Sequence, residues 1–309
     1  MKLLLTGLII CLSLITSAQE VNEKEVSIEE LKGTITLPSK KSKKAIMLIS
    51  GSGPTDRDGN NNLGFTNNSL KMVAHEFTKA GYAVLRFDKR GIAESAAAIS
   101  DPAELRFENF VNDAKSWLEF LEMEGFKQII IAGHSQGSLI GILTAQGNSN
   151  VKGLISISGL AEDAGEAIVR QIGQQAPVLA EEASEKIDSL RKGYTVKKYN
   201  PLLVSLFNDQ VQPFLKSYLA YNPSEEIQKL DIPVLIVNGT SDLQVREEDA
   251  NALKESYPNA ELLIIEEMNH VLKHAAKGDM VANVATYNNP DLPLKEGLTE
   301  GMINFIKTL

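Results

Sequence analysis

Short, largely apolar segments recur along this chain, separated by stretches in which apolar residues follow helical spacing. The short segments predict strands over residues 45–49, 82–87, 128–132, 151–157, 233–237 and 262–265, and the continuous apolar run 45–49 suits a strand buried on both faces. Helical spacing is found at 69–80, 107–123, 136–146, 247–256 and 294–309. Regular alternation of strand and helix predicts an α/β fold, in which a mostly parallel sheet is flanked by helices.

Two segments depart from this alternation. Near the N-terminus, Val26-Ser27-Ile28 and residues 31–37 alternate as the two strands of a hairpin would. Residues 161 to about 226 contain no convincing strand, but they include helical stretches at 181–190 and 211–219. We interpret residues 161–226 as a helical cap insertion between two strands of the sheet.

Residues 1–18 have the three-part layout of a cleaved secretory signal. Lys2 is followed by an apolar run from Leu3 to Ile15 and by the small residues Thr16-Ser17-Ala18. At about 13 residues the run is shorter than a membrane span, so we expect no stable membrane insertion. A buried first helix or a retained anchor is the alternative. We expect cleavage after Ala18 and a periplasmic or secreted domain over residues 19–309.

Composition excludes several functional classes. The net charge of −9 differs from the basic footprint of a nucleic-acid-binding protein, so we expect no nucleic-acid partner. Cys11 is the only cysteine and lies in the predicted signal, so the mature chain would have no thiol to act as nucleophile or metal ligand. Neither an H-E-x-x-H motif nor a glycine-rich phosphate loop is present, and we expect neither a metal nor a cofactor.

The segment IIIAGHSQG, residues 129–137, places a G-x-S-x-G motif between a predicted strand and a predicted helix. In this context the central serine sits on a sharp, strained turn that exposes its hydroxyl. Gly133 and Gly137 lack the side chains that would collide as the chain reverses. We therefore predict Ser135 as a nucleophile, with an ordinary tight turn as the alternative.

A serine hydroxyl needs a base to remove its proton. The histidines of the chain are His75, His134, His270 and His274. His270 follows the predicted strand 262–265, and its loop would open at the same sheet edge as Ser135. We predict His270 as the base and keep His274 as the alternative. The turn would direct His134 away from the hydroxyl.

The orienting acid is expected after the preceding strand, 234–237. Asp242 follows that strand and could fix the tautomer of the His270 imidazole. The alternative is that Asp242 caps the helix beginning near Arg246.

The chain order Ser135, Asp242, His270 is that of the α/β-hydrolases. Over roughly residues 25–309 the chain resembles the serine aminopeptidase or acyl-esterase branch of this superfamily. Residues 50–59, SGSGPTDRDG, follow a strand where related enzymes carry an H-G-x-G oxyanion loop, although Ser50 stands where many have histidine. Residues 87–91, FDKRG, are similar to a D-x-R-G stretch of the same families.

The resemblance implies the α/β-hydrolase fold and an oxyanion hole made by the backbone N–H groups of Ser52 and Gln136. Gly51 and Gly53 would let the loop approach substrate, whereas the alternative is a flexible turn. We expect the nearby charged residues to join loops by ion pairs more than to touch substrate. They are Asp56, Arg57, Asp58 and Arg90.

The leading functional hypothesis is hydrolysis of the ester of a small-molecule acyl substrate through an acyl-enzyme. The second is an aminopeptidase or amidase, which would need a carboxylate to hold a free amine. The cap contains candidate carboxylates, although a solvated helix face is the simpler interpretation of them: Glu162, Asp163, Glu166, Glu181, Glu182, Glu185 and Asp188. A catalytically silent binding protein is the third.

Overall fold

The computed structural model describes residues 21–309, in which an eight-stranded sheet is flanked by helices on both faces. The predicted signal, residues 1–18, lies outside the described residues. The strands are β1 (Asn22–Ile28), β2 (Leu31–Leu37), β3 (Lys44–Ile49), β4 (Ala83–Phe87), β5 (Gln128–His134), β6 (Val151–Ile157), β7 (Val234–Gly239) and β8 (Glu261–Ile265). Their spatial order is β1-β2-β4-β3-β5-β6-β7-β8. The β1–β2 and β2–β4 pairs are antiparallel and the others are parallel. The mostly parallel sheet predicted from the sequence is confirmed.

The central strands are buried and mostly apolar because helices cover both of their faces. Every residue of β4 and β7 is buried. The edge strand β1 is mostly exposed and carries polar side chains. It begins at Asn22, before the predicted start at Val26, because pairing with β2 extends to the Asn22–Leu37 pair.

The helices are α1 (Ser69–Lys79), α2 (Phe107–Met123), α3 (Gln136–Ala145), α4 (Ala164–Gln175), α5 (Ala180–Arg191), α6 (Val204–Phe207), α7 (Gln212–Tyr218), α8 (Pro223–Ile227), α9 (Glu247–Ser256), α10 (Met280–Ala285) and α11 (Leu298–Thr308). Helices α2, α3 and α9 pack on one face of the sheet, and α1 and α11 pack on the other. Helix α3 is buried along its whole length, which holds the residue before it in a fixed position.

Two predictions near the C-terminus were incomplete. The last helix begins at Leu298 and not at Leu294, because Gly297 has a positive φ of 86° and Leu294 instead forms a β-bridge with Lys273. Helix α10 was not predicted, since its short run of apolar residues is largely exposed and lacks the spacing of a buried face.

Helices α4–α8 occupy the stretch between β6 and β7. Residues of α4–α7 surround a small apolar core, which includes Ala183, Ile187, Leu190 and Phe207. Helix α8 instead contributes to the core beside the sheet. Helices α4 and α7 line a cavity at the end of β5 and so cover that end of the sheet.

Candidate active site

The turn between β5 and α3 holds Ser135 in a strained backbone conformation, with φ 55° and ψ −121°. Its N–H donates to the carbonyl of Ile157 at 2.8 Å. A Cβ at Gly133 would collide with the carbonyl of Gly137, and a Cβ at Gly137 would collide with the carbonyl of Ile49. The two glycines are therefore required by close backbone approach, as the motif predicts.

His270 and Asp242 form a buried pair at the end of the neighbouring strands. His270 Nδ1 lies 2.8 Å from Asp242 Oδ2, and Asp242 Oδ1 accepts from the N–H groups of Gln244 at 2.8 Å and Val245 at 2.9 Å. Burial raises the pKa of Asp242, but the adjacent His270 and these hydrogen bonds outweigh it, so the pKa lies below its ordinary value. Asp242 does not cap α9, whose N-cap is Arg246.

The structure brings Ser135 and His270 to the wall of one cavity. Within residues 21–309 the Ser135 hydroxyl has no hydrogen-bond partner, and bonds of this kind often tighten only when substrate binds. The other candidate base lies elsewhere. The His274 side chain is 56% exposed, and its Nδ1 lies 3.6 Å from Glu267 and 3.2 Å from the Lys295 ammonium.

His134 has a role that the sequence did not indicate. Its side chain is buried, and its Nε2–H donates to the main-chain carbonyl of His270 at 2.8 Å. Burial and the adjacent His270 lower the pKa of His134 to about 3, so the ring is neutral near pH 7. The partner is 136 residues away in sequence, and no local motif indicates such a contact.

The glycine-rich loop after β3 lies close to the nucleophile. A Cβ at Gly51 would lie 3.2 Å from the Cβ of Ser135. Ser52 and Gln136 line the same cavity as Ser135. Across the described part of the chain, the N–H groups of Ser52 and Gln136 have no acceptor. Both donors are therefore free to bind a negatively charged oxygen next to Ser135.

A buried lysine holds this loop. Lys89 Nζ donates to Ser50 Oγ at 3.2 Å, to the Gly51 carbonyl at 2.5 Å and to the Thr55 carbonyl at 3.1 Å. Burial lowers the pKa of Lys89 to about 8. The hydroxyl of Ser50, where many relatives have histidine, is thus used to bind the ammonium. The FDKRG stretch can be recognised in the sequence, but this contact of Lys89 cannot.

The charged residues near these loops form ion pairs, as we expected. The pairs are Arg57 with Asp88, Glu25 and Glu94, Asp58 with Arg86, and Arg90 with Asp113. Asp56 instead accepts from two backbone N–H groups of its own turn.

Two cavities meet at Ser135. The larger has a volume of about 550 Å³ and lies beneath α4 and α7, and the smaller has about 320 Å³ and lies beside His270. Ser52, Ser135 and Gln244 line both. No Asp or Glu among the described residues lines either one.

Between residues 21 and 309, no group of three or more His, Cys, Asp or Glu is arranged to hold a metal ion. No helix of this region is long and apolar enough to cross a membrane.

Comparison with known proteins identifies the family of this chain. A family model described as "Serine aminopeptidase, S33" matches residues 64–274. Esterase EstD of Thermotoga maritima is 28% identical over 261 residues, which cover 82% of this chain and 61% of that protein. The chain therefore spans about three-fifths of the length of this curated relative.

Solved structures are similar over nearly the whole chain. The α/β hydrolase GrgF from Penicillium sp. sh18 has a TM-score of 0.60 at 18% identity and covers 94% of this chain and 98% of its own. Est1E from Butyrivibrio proteoclasticus, with ferulic acid bound, has a TM-score of 0.57 at 18% identity, with 92% and 99% covered. These similarities confirm the α/β-hydrolase fold predicted from the sequence.

Proposed function

This chain belongs to the S33 serine aminopeptidase family of the α/β-hydrolases, and on that premise we propose that it hydrolyses carboxylic esters of small molecules. In this proposal Ser135 is the nucleophile, His270 the general base and Asp242 the orienting acid. The observation that carries the proposal is that His270, held by Asp242, lines the same cavity as a strained serine whose hydroxyl is unpartnered within the described residues.

The reaction follows from this arrangement. Ser135 Oγ attacks the ester carbonyl carbon while His270 Nε2 takes its proton. The carbonyl oxygen becomes an oxyanion facing the free N–H groups of Ser52 and Gln136. His270 then gives the proton to the alcohol oxygen as the C–O bond breaks, which leaves an acyl group on Ser135. Water attacks the acyl-enzyme and gives its proton to His270, and the acid is released as Ser135 recovers its proton.

Each supporting group has a defined task in this scheme. The carboxylate of Asp242 accepts from His270 Nδ1, which leaves Nε2 unprotonated and able to take the serine proton. When His270 becomes positively charged, the buried Asp242 carboxylate stabilises that charge. No step requires a metal or a cofactor.

The charges around the site favour an ester over the amino-terminal peptide bond suggested by the family description. An aminopeptidase needs a carboxylate to hold the free amine, and the described residues that line the two cavities include no Asp or Glu. Three acids at the start of the cap pair with arginines instead. Glu162 pairs with Arg170 at 2.7 Å, and Asp163 and Glu166 pair with Arg191 at 2.7 and 3.0 Å. Similarity to the esterase of Thermotoga maritima supports the same choice.

Ester and amide activity can be compared directly in the purified mature protein. We expect kcat/KM for short acyl esters to exceed that for amino-acid anilides, because an amide has the poorer leaving group and its amine would have no anchor. Glu162→Gln, Asp163→Asn and Glu166→Gln should each leave ester turnover within a few-fold of wild type. Efficient anilide cleavage that is lost in one of these variants would instead identify a peptidase and its amine anchor.

A further inference from the structure

The two cavities at Ser135 differ in the chemistry of their walls. The larger one is lined mainly by apolar side chains, among them Ile92, Leu105, Phe110, Ile168 and Phe214. The smaller one carries the polar side chains of Asn61, Asn67, Ser69 and Tyr287. An ester also has two unlike parts, an acyl group and an alcohol, which must lie on opposite sides of the carbon that Ser135 attacks.

Proton transfer decides which part occupies which cavity. The alcohol oxygen must receive its proton from His270, so it has to lie within hydrogen-bond reach of that imidazole. His270 lines the smaller cavity and does not line the larger one. The alcohol therefore belongs in the smaller cavity, and the acyl group extends under α4 and α7 into the larger one.

The charged residue on the wall of the larger cavity is not free to bind a ligand. The Arg90 guanidinium donates to Asp113 Oδ2 at 3.0 Å through Nε, to Asp113 Oδ1 at 2.5 Å through Nη2 and to the Ala98 carbonyl at 3.0 Å through Nη1. An acidic acyl tail would therefore find no available cation there. The apolar wall instead favours a long or bulky hydrocarbon group, because its burial removes apolar surface from water.

The smaller cavity offers hydrogen-bond donors. The Tyr287 hydroxyl accepts from Gln244 Nε2 at 2.9 Å, so its own O–H is free to donate. Asn61 uses its side-chain oxygen to accept from the N–H of Leu63 at 2.9 Å, and in the described part of the chain its amide N–H has no protein acceptor. Burial raises the pKa of Tyr287, which keeps the phenol protonated. These donors suit an alcohol that carries further oxygen atoms.

We propose that the substrate is a neutral ester of a long or bulky apolar acid and an oxygen-rich alcohol, with the acyl group in the larger cavity and the alcohol in the smaller one. The assignment rests on the proposed esterase function and adds the substrate class to it.

Two substrate series test the assignment. In the first, p-nitrophenol is constant and the acyl group is acetyl, butyryl, octanoyl or dodecanoyl. In the second, the acyl group is octanoyl and the alcohol is methanol, propanol or glycerol. Wild type should prefer octanoyl to acetyl by about tenfold or more in kcat/KM, and should prefer the glycerol ester to the propyl ester by a few-fold.

Substitutions in the two cavities should change the acyl preference and the alcohol preference separately. Ile168→Trp narrows the larger cavity and should remove the octanoyl preference without changing the ranking of the alcohols. Val169→Trp is the matched control, because Val169 is adjacent on α4 and does not line the cavity. Tyr287→Phe should lower the preference for glycerol over propanol and leave the acyl ranking unchanged.

The possible outcomes test the substrate assignment separately from the proposed esterase function. A wild-type protein that hydrolyses p-nitrophenyl acetate but does not prefer longer acyl groups overturns the assignment alone. The same holds if Ile168→Trp changes the alcohol ranking and not the acyl ranking. A wild-type protein that hydrolyses none of the esters overturns the proposed function, and the assignment with it.

Discussion

The side chain of His134 is bonded to the main chain of His270, with 2.8 Å between Nε2 and the carbonyl oxygen. Their rings are also adjacent, with centroids 4.7 Å apart. His134 directly precedes Ser135, so this contact ties the turn that carries the serine to the loop that carries the imidazole. It holds the main chain of His270, whereas Asp242 holds its ring.

Because His134 is buried without a charge, it should make stability depend on pH. The pKa of His134 is lowered from 6.5 to about 3, so between these values the unfolded chain binds a proton that the folded chain does not. The free energy of unfolding should therefore rise with pH across this window and fall on acidification. From pH 7 to pH 5, wild type should lose about 2 kcal/mol more than His134→Gln, as measured by urea unfolding. Equal losses in the two proteins would contradict a neutral, buried His134.

Lys89 should affect the rate of the reaction more than substrate binding. Lys89→Met removes the donors that hold the Gly51 and Thr55 carbonyls, and the loop with the Ser52 N–H should loosen. Because that N–H is proposed to bind charge that develops in the transition state, we expect kcat to fall about 10- to 100-fold, with KM changed little. The control is Lys273→Met, since Lys273 is also buried but binds the Leu292 carbonyl. A similar loss of kcat in both variants would show that removing any buried lysine lowers kcat, which would contradict a specific role of Lys89.

The choice of His270 over His274 can be tested by substitution. His270→Ala should lower kcat by about 10⁴-fold or more, because the serine proton would have no acceptor. Asp242→Asn should lower kcat less than His270→Ala does. His274→Ala should keep kcat within a few-fold of wild type, since the His274 side chain is half exposed and lies near Glu267 and Lys295. Steady-state kinetics on p-nitrophenyl acetate measures kcat for each variant. The choice of His270 as the base would be wrong if His274→Ala lowered kcat the most.

We also propose that the protein is exported, from the layout of residues 1–18. Protein isolated from the native cell envelope or medium should begin at Gln19, as shown by intact-mass analysis and N-terminal peptide mapping. Replacing Leu8 and Ile9 by lysine should interrupt the apolar run and hold the full-length chain in the cytoplasm. A wild-type species that begins at Met1 and is found only in the cytoplasm would refute export.

The sequence predicted the features that depend on local patterns. Ser135 is predicted as the nucleophile because its strand, turn and helix lie within one short segment. Asp242 and His270 are predicted because each follows a recognisable strand. Contacts between distant segments left no such pattern. The ammonium of Lys89 binds a carbonyl 38 residues away, and His134 reaches across 136 residues. Likewise, the early start of β1 depends on its pairing with Leu37 and not on its own polar residues.

Labelling with a fluorophosphonate tests whether Ser135 forms the proposed acyl-enzyme. The mature wild-type protein should gain the mass of one label, peptide mapping should place it on Ser135, and ester turnover should fall in step with labelling. Ser135→Ala should take up no label and lose ester turnover by several orders of magnitude. Its unfolding midpoint should stay near that of wild type. Labelling or ester turnover retained by a folded Ser135→Ala protein would contradict the account.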